Sequence, residues 1–119
     1  AHPLASAALI ATLEVYLGEG LFERVAQLES YWEDALHSLK DLNNVVDIRN
    51  LGLVGGIEMS SKNGEVGSRG YDVFERGFHD ENILLRFTGD IIALSPPLIA
   101  DKEHIDQIIK SLKKVISDN

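Results

Sequence analysis

Cysteine is absent from this 119-residue sequence, and basic residues are few. Without cysteine there can be no disulfide, no thiolate metal site and no cysteine nucleophile, which fits a reducing compartment, and we expect a cytoplasmic protein. Eleven lysines and arginines stand against 19 acidic residues, giving a formal net charge of −8. Because nucleic acids and anionic membranes attract basic surfaces, neither is expected to be the main partner.

Long hydrophobic runs and self-contained catalytic motifs are also missing. The longest apolar segment, near Leu4–Leu13, is far shorter than a membrane span and lacks the basic start of a signal peptide. No HxxxH, HExxH, GxSxG, GxGxxG or GxxxxGK[ST] pattern occurs. The histidines share no metal-ligand spacing; they are His2, His37, His79 and His104.

The composition, with 45% apolar and 25% charged residues, is typical of one globular domain. Pro3 suits the first turn of a helix that runs to Gly18 and is so apolar that we expect it to pack against something outside this chain. A second, amphipathic helix of about five turns follows, between Leu21 and Leu39.

The remaining segments predict four strands and two more helices. Gly55 and Gly56 interrupt the second strand, which suggests a bulge or the close approach of another backbone or a ligand. A third helix is predicted from about Arg69 to Asp80, and Asp101 is a good N-cap for the last. The predicted strands are Val45–Arg49, Leu53–Met59, Ile83–Phe87 and Ile91–Leu94.

This order of elements, two helices followed by ββαββα, predicts an α+β fold. We expect a mostly antiparallel sheet with helices on one face, and a partner on the other. Residues 1–40 would form a helical entry to the domain, and residues 41–119 an α/β sandwich.

Arg86 lies inside an apolar strand, next to the turn formed by Thr88, Gly89 and Asp90. Alternation along the strand puts Arg86 on the same face as Leu84. An unpaired buried charge is costly, so this arginine must either reach water or hold an anion. A surface ion pair at a strand edge is the alternative, and the pattern alone does not decide between them.

Several segments together resemble class III, fold-type I, pyridoxal-phosphate aminotransferases. The start AHPLASAA is similar to the family's "SGHP-A-AAA" helix start, and RNLGLVGGIE to its "RGxGLxxGIE" hairpin. Residues 84–99 are similar to its closing "LLxRxxGDxIxLxPPLI" segment. The segments LFERVAQL, YWEDALHSL and DIRNLGLVGGIE are most similar to β-alanine (ω-amino acid):pyruvate aminotransferases.

The resemblance implies that residues 1–119 are the C-terminal domain of a longer enzyme, and that the large domain is absent from this sequence. That domain would carry the Schiff-base lysine and most contacts to pyridoxal 5′-phosphate. The whole enzyme would move an amino group from an ω-amino acid such as β-alanine to pyruvate, as a homodimer or tetramer. This chain alone would be inactive, and its own lysines, in turns, loops or exposed helix faces, are not expected to form the Schiff base.

Arg86 matches the family arginine that binds the substrate carboxylate and swings aside for substrates lacking one. Arg49 matches an arginine expected to be mainly structural. Asn50 stands where glycine is commoner, so we expect it to carry a positive backbone angle. The alternative to an aminotransferase domain is a free-standing small-molecule-binding or interaction module without catalysis.

Overall fold

The computed structural model describes residues 2–118. Ala1, the first residue of the segment that resembles the aminotransferase helix start, lies outside them. The elements follow the predicted order: α1 (Pro3–Gly18), α2 (Leu21–His37), β1 (Val45–Leu51), β2 (Val54–Met59), α3 (Ser68–Glu81), β3 (Arg86–Thr88), β4 (Ile91–Leu94) and α4 (Lys102–Ser117).

The four strands form one antiparallel sheet in the order β1-β2-β4-β3. Their register places Ile48, Ile57, Ile92 and Phe87 side by side across the sheet. These residues join one core cluster with apolar side chains from α2, α3 and α4, such as Trp32. The predicted α+β fold with helices on one face of the sheet is therefore confirmed.

Side chains of helix α2 lie close to the backbone of Gly55. A Cβ atom on Gly55 would lie 2.7 Å from Leu36 Cδ2 and 3.1 Å from Trp32 Cζ2, both in α2. The register of β1 and β2 is continuous through Gly55 and Gly56, and its irregularity lies between Val45 and Asp47 instead. The predicted bulge at the glycines is therefore wrong, and the groups that approach Gly55 closely are side chains of α2 rather than the backbone or ligand that we predicted.

The prediction of a positive backbone angle at Asn50 is wrong. Asn50 lies inside β1, and the positive φ of this hairpin, 55°, belongs to Gly52 in the turn. The strand extends two residues beyond the predicted end at Arg49, because Asn50 and Leu51 pair with Gly55 and Val54. The Asn50 side chain faces α2, where its Oδ1 lies 3.1 Å from His37 Nε2.

Strand β3 is shorter than predicted and begins later, at Arg86 rather than Ile83. The N–H of Ile83 is committed to the end of α3, where it donates to the carbonyl of Gly77 at 2.9 Å. Asn82, just before it, takes the left-handed conformation that ends the helix. Residues 83–85 therefore lead out of a helix rather than forming a strand.

Helix α1 is exposed along its whole length. None of its residues is buried, and its large apolar side chains remain from 48% exposed at Leu13 to 76% at Leu17. Within residues 2–118, no single helix is long and apolar enough to cross a membrane; α1 and α2 pass that test only as a pair, bent by 62° at the break between them. That α1 packs against something outside this chain stays a prediction.

We expect the isolated 119-residue chain to bind a hydrophobic dye through α1, because exposed apolar side chains cluster there. The double substitution Leu9→Glu and Leu13→Glu should lower dye fluorescence by about half or more. The double substitution Gln27→Glu and Ser30→Glu adds the same two charges at exposed polar positions of α2 and should leave the dye fluorescence unchanged. A chain that binds no dye would contradict this and would favour a self-sufficient module.

Candidate functional site

Arg86 lies on the sheet face that the helices leave open. It is the first residue of β3 and stands opposite Ala93 of β4, in a row that continues through Gly56 to Arg49 of β1. Arg86 is exposed, while Ala93 and Gly56 are half-buried. The structure thus answers the question left by the sequence pattern: the arginine reaches water.

Among residues 2–118, the guanidinium of Arg86 has no hydrogen bond and no ion pair. Arg49, at the other end of the same row, donates to the carboxylates of Asp47 and Glu58, the latter at 2.9 Å. Hydrogen bonds to Glu58 and to Asp47 raise the pKa of the Arg49 guanidinium above its ordinary value. Arg49 therefore forms surface ion pairs, whereas the alternative of such a pair at Arg86 is not observed among these residues. Arg86 is available to an external anion.

A groove of about 420 Å³ opens beside Arg86. Pairing of β3 with β4 ends at Arg86 and Ala93, and the chain beyond β4 turns away through Pro96 and Pro97, which have no N–H to donate. The segments on either side of the hairpin therefore separate. The groove is lined by Trp32, Ile83, Leu84, Leu85, Arg86, Ala93, Leu94, Ser95, Pro96, Pro97 and Ile108.

This groove is apolar apart from a few polar groups, and Arg86 supplies its one cationic side chain. Trp32 is fully buried, and its Nε1–H has no acceptor among the described residues. Buried donors of this kind are usually satisfied by a water or ligand oxygen. The arrangement can hold a carboxylate at Arg86 with an apolar group beside it.

Asp90, in the turn between β3 and β4, is the buried carboxylate closest in sequence to Arg86. Burial works to raise its pKa, but hydrogen bonds from Gly67, Ser61, Gly70 and Arg69 outweigh that effect and lower the pKa below its ordinary value. The carboxylate is therefore ionised and fully engaged, which suits a structural anchor rather than a proton carrier.

A family model described as aminotransferase class-III matches residues 1–116. The chain belongs to this family. It is 56% identical over 116 residues to an omega-aminotransferase of Caulobacter vibrioides, and 31% identical over 121 residues to a beta-alanine–pyruvate aminotransferase of Pseudomonas aeruginosa. Each alignment covers 98% of this chain but 26% of the relative, so the chain spans about a quarter of the length of these curated relatives.

The fold of this chain is similar to that of solved transaminase structures. The fold matches that of a thermostable omega transaminase mutant from Pseudomonas jessenii with a TM-score of 0.91 and 25% sequence identity. That match covers 98% of this chain and 27% of the other. The resemblance read from the sequence motifs is therefore confirmed, both for the family and for the fold.

Membership of the class III family implies dependence on pyridoxal phosphate. The described residues do not make a complete place for that cofactor, because no lysine lines the groove beside Arg86. Lys62 is paired with Asp72 at 2.5 Å, Lys114 is paired with Glu81, and Lys102 lies 4.7 Å from the centre of the Tyr31 ring. The remaining lysines, Lys40, Lys110 and Lys113, are exposed.

In the described part of the chain, no histidine lines the groove beside Arg86. His37 contacts Asn50, and His104 completes the cap of α4 together with Asp101. Over residues 2–118, no group of three or more histidine, cysteine or acidic side chains is placed to hold a metal ion. Arg86 and its groove are thus suited to binding a small molecule that carries a carboxylate.

Proposed function

We propose that this chain is the C-terminal portion of a pyridoxal-phosphate-dependent aminotransferase that moves an amino group from an ω-amino acid such as β-alanine to pyruvate. In this proposal Arg86 binds the carboxylate of each substrate. The products are an aldehyde acid and alanine, so the amino group and the carbonyl oxygen change places between the two substrates.

The observation that carries the proposal is the unpaired guanidinium of Arg86 at the mouth of an apolar groove. A guanidinium holds a carboxylate through two parallel, charge-assisted hydrogen bonds, which fix its orientation as well as its position. In an ω-amino acid the amine lies at the end opposite the carboxylate. Anchoring one end therefore directs the other end away from the clamp, toward the rest of the active site.

The rest of that active site would come from the remainder of the protein. The large domain would supply the Schiff-base lysine and most contacts to the cofactor. When bound, pyridoxal phosphate acts as an electron sink for bond breaking next to the amine. Residues 2–118 would supply the arginine that binds the substrate carboxylate and part of the active-site wall. They would not supply the general base. We further propose a homodimer or tetramer and a cytoplasmic location, on the strength of the resemblance.

The direct test is an assay of the full-length protein that carries this sequence, with β-alanine as amino donor and pyruvate as acceptor. We expect alanine to form at a rate that depends on added pyridoxal phosphate, whereas the 119-residue chain alone should form none. The cofactor-depleted full-length protein is the control. Failure to turn over any ω-amino acid with pyruvate would contradict the proposed substrates, and activity of the short chain alone would contradict its role as a partial site.

A further inference from the structure

Asp90 joins two parts of the domain that are distant in sequence. From the turn between β3 and β4, its Oδ1 accepts hydrogen bonds from the backbone N–H groups of Arg69 and Gly70, each at 3.1 Å. Its Oδ2 accepts from the N–H of Gly67 at 2.9 Å and from the Ser61 hydroxyl at 2.8 Å. Three of these four donors are backbone groups at the start of α3.

The cap of α3 is therefore provided from outside the helix. The residue at the N-cap position is Gly67, which has no side chain and so cannot cap the helix itself. A carboxylate at a helix N-terminus satisfies free N–H groups and interacts favourably with the helix dipole. Asp90 takes this role from the hairpin tip, so the hairpin and the helix cannot move independently without breaking these bonds.

The backbones of the hairpin tip and the helix are also in close contact. A Cβ atom on Gly70 would lie 2.2 Å from the carbonyl oxygen of Gly89, a distance that no side chain tolerates. Gly70 thus lets the tip of the hairpin rest directly on the first turn of α3. This is a second contact, independent of the carboxylate, at the same place.

Arg86 lies two residues before the turn that Asp90 anchors, in a strand with few backbone partners. Strand β3 has three residues, lies at the edge of the sheet and pairs only with β4. On the core side, the Phe87 ring packs against Phe74 and Tyr71, with centroids 5.2 and 6.0 Å apart. On the opposite side nothing in residues 2–118 bonds the Arg86 guanidinium.

We propose that Asp90 is a positioning residue for substrate binding: by fixing the tip of the β3–β4 hairpin to the N-terminus of α3, it holds Arg86 where the substrate carboxylate is bound. This inference rests on the proposed function of Arg86. It assigns to Asp90 no contact with substrate. Its effect on substrates is exerted through Arg86.

The test compares Asp90→Asn with wild type in the full-length holoenzyme, using β-alanine and propylamine as donors. Propylamine has a methyl group in place of the carboxylate, so it does not need Arg86. The amine half-reaction is followed alone, by the absorbance of the bound cofactor, because pyruvate carries a carboxylate of its own. In the variant, an NH₂ group replaces Oδ2 and faces the N–H of Gly67, so two donors oppose each other. Oδ1 can still accept from Arg69 and Gly70, and the Ser61 hydroxyl can turn to accept from the NH₂ group.

We expect the apparent dissociation constant for β-alanine to rise roughly tenfold in Asp90→Asn, with the limiting rate nearly unchanged. The constant for propylamine should stay within about twofold, because a clamp that has shifted matters only to a carboxylate. Amide hydrogen exchange of the same protein should become faster in residues 86–94 and stay unchanged in α2 and α4. Asp72→Asn is the matched control; it alters a carboxylate of the same helix that pairs with Lys62 instead of the hairpin, and it should leave both donors unaffected.

A second variant tests whether the effect comes from the position of the hairpin rather than from the lost charge of Asp90. Gly70→Ala keeps Asp90 but forces the hairpin tip away from α3, and it should show the same selective loss of β-alanine. Equal losses for both donors in Asp90→Asn, while Arg86→Ala remains selective for β-alanine, would overturn the positioning role and leave the clamp intact. If Arg86→Ala itself is not selective, the proposed function fails instead, so the two failures are distinguishable.

Discussion

Replacing Arg86 with alanine is expected to lower the efficiency of the full-length enzyme with β-alanine by about 10²- to 10³-fold. The reason is that, in the proposed clamp, the substitution removes two charge-assisted hydrogen bonds, which together would contribute about 3–4 kcal/mol. Propylamine should stay within about threefold, since it offers no carboxylate to lose. The measurement is the rate of the amine half-reaction as a function of donor concentration, for each donor separately.

Arg49→Ala is the matched control for this experiment. Arg49 lies on the same open face, in the same cross-strand row, but its guanidinium is already bonded to Asp47 and Glu58. Exposed ion pairs of this kind usually contribute less than about 1 kcal/mol, so neither donor should be much affected. If Arg86→Ala slows both donors equally, the arginine is structural and the carboxylate clamp is wrong.

The position of Arg86 was predictable because its neighbours constrain it strongly. Apolar residues on both sides of a Gly-Asp turn indicate a hairpin, and a charge inside such a strand has only a few acceptable environments. Whether that environment was water or a carboxylate of this chain was not predictable, because it depends on which acidic side chains the folded sheet brings close to each arginine, as the pairing of β1 with β2 brings Glu58 to Arg49. The family motifs suggest a carboxylate ligand for Arg86, and that role stays a proposal.

The groove beside Arg86 was not predicted, and the physical reason is competition for one N–H group. The apolar run from Ile83 looks like a strand, but the Ile83 N–H bonds to Gly77 at the end of α3. On the other side Pro96 cannot continue the ladder. The hairpin opens between these two segments, so the error in the strand boundary and the missed groove have the same cause.

The role of Asp90 was equally hidden. In the sequence it is a turn residue, and turns commonly contain aspartate. Its partners, Ser61, Gly67, Arg69 and Gly70, lie 20 to 29 residues away. The sequence carries no signal of a missing cap, because a helix predicted from about Arg69 has Ser68, a preferred capping residue, just before it, whereas the structure places Gly67 at the N-cap.

Helices were predicted more accurately than strands because their periodicity is long enough to average over local exceptions. α4 begins after Asp101 as predicted, with the Asp101 carboxylate accepting the His104 N–H at 3.1 Å. Strands of three to seven residues offer no such averaging, and one displaced hydrogen bond moves a boundary by two or three positions. Asn50 illustrates this, since pairing with Gly55 carried it into β1 and left the turn to Gly52.

Of the two adjacent glycines of β2, Gly55 is the one whose replacement should affect stability. Gly55→Ala should destabilise the fold by about 1–3 kcal/mol, because the added methyl group must displace Leu36 and Trp32, which are both fully buried. Repacking is limited on the other side too, since Gly55 stands opposite Leu94 in the neighbouring strand. We expect a clear decrease in the thermal unfolding midpoint of the full-length protein, measured by circular dichroism.

Gly56→Ala is the control for this prediction, one residue away on the opposite face of the sheet. There the nearest atoms to an added Cβ are at ordinary contact distances, 3.8 Å to Arg49 Cγ and 3.9 Å to Ile91 Cγ2. Because alanine also restricts the unfolded chain, this substitution should be neutral or should stabilise the protein by up to about 1 kcal/mol. A Gly55→Ala variant as stable as Gly56→Ala would mean that α2 can shift away from β2. Trp32 lines the Arg86 groove. In that case its position would not be fixed by close packing against Gly55.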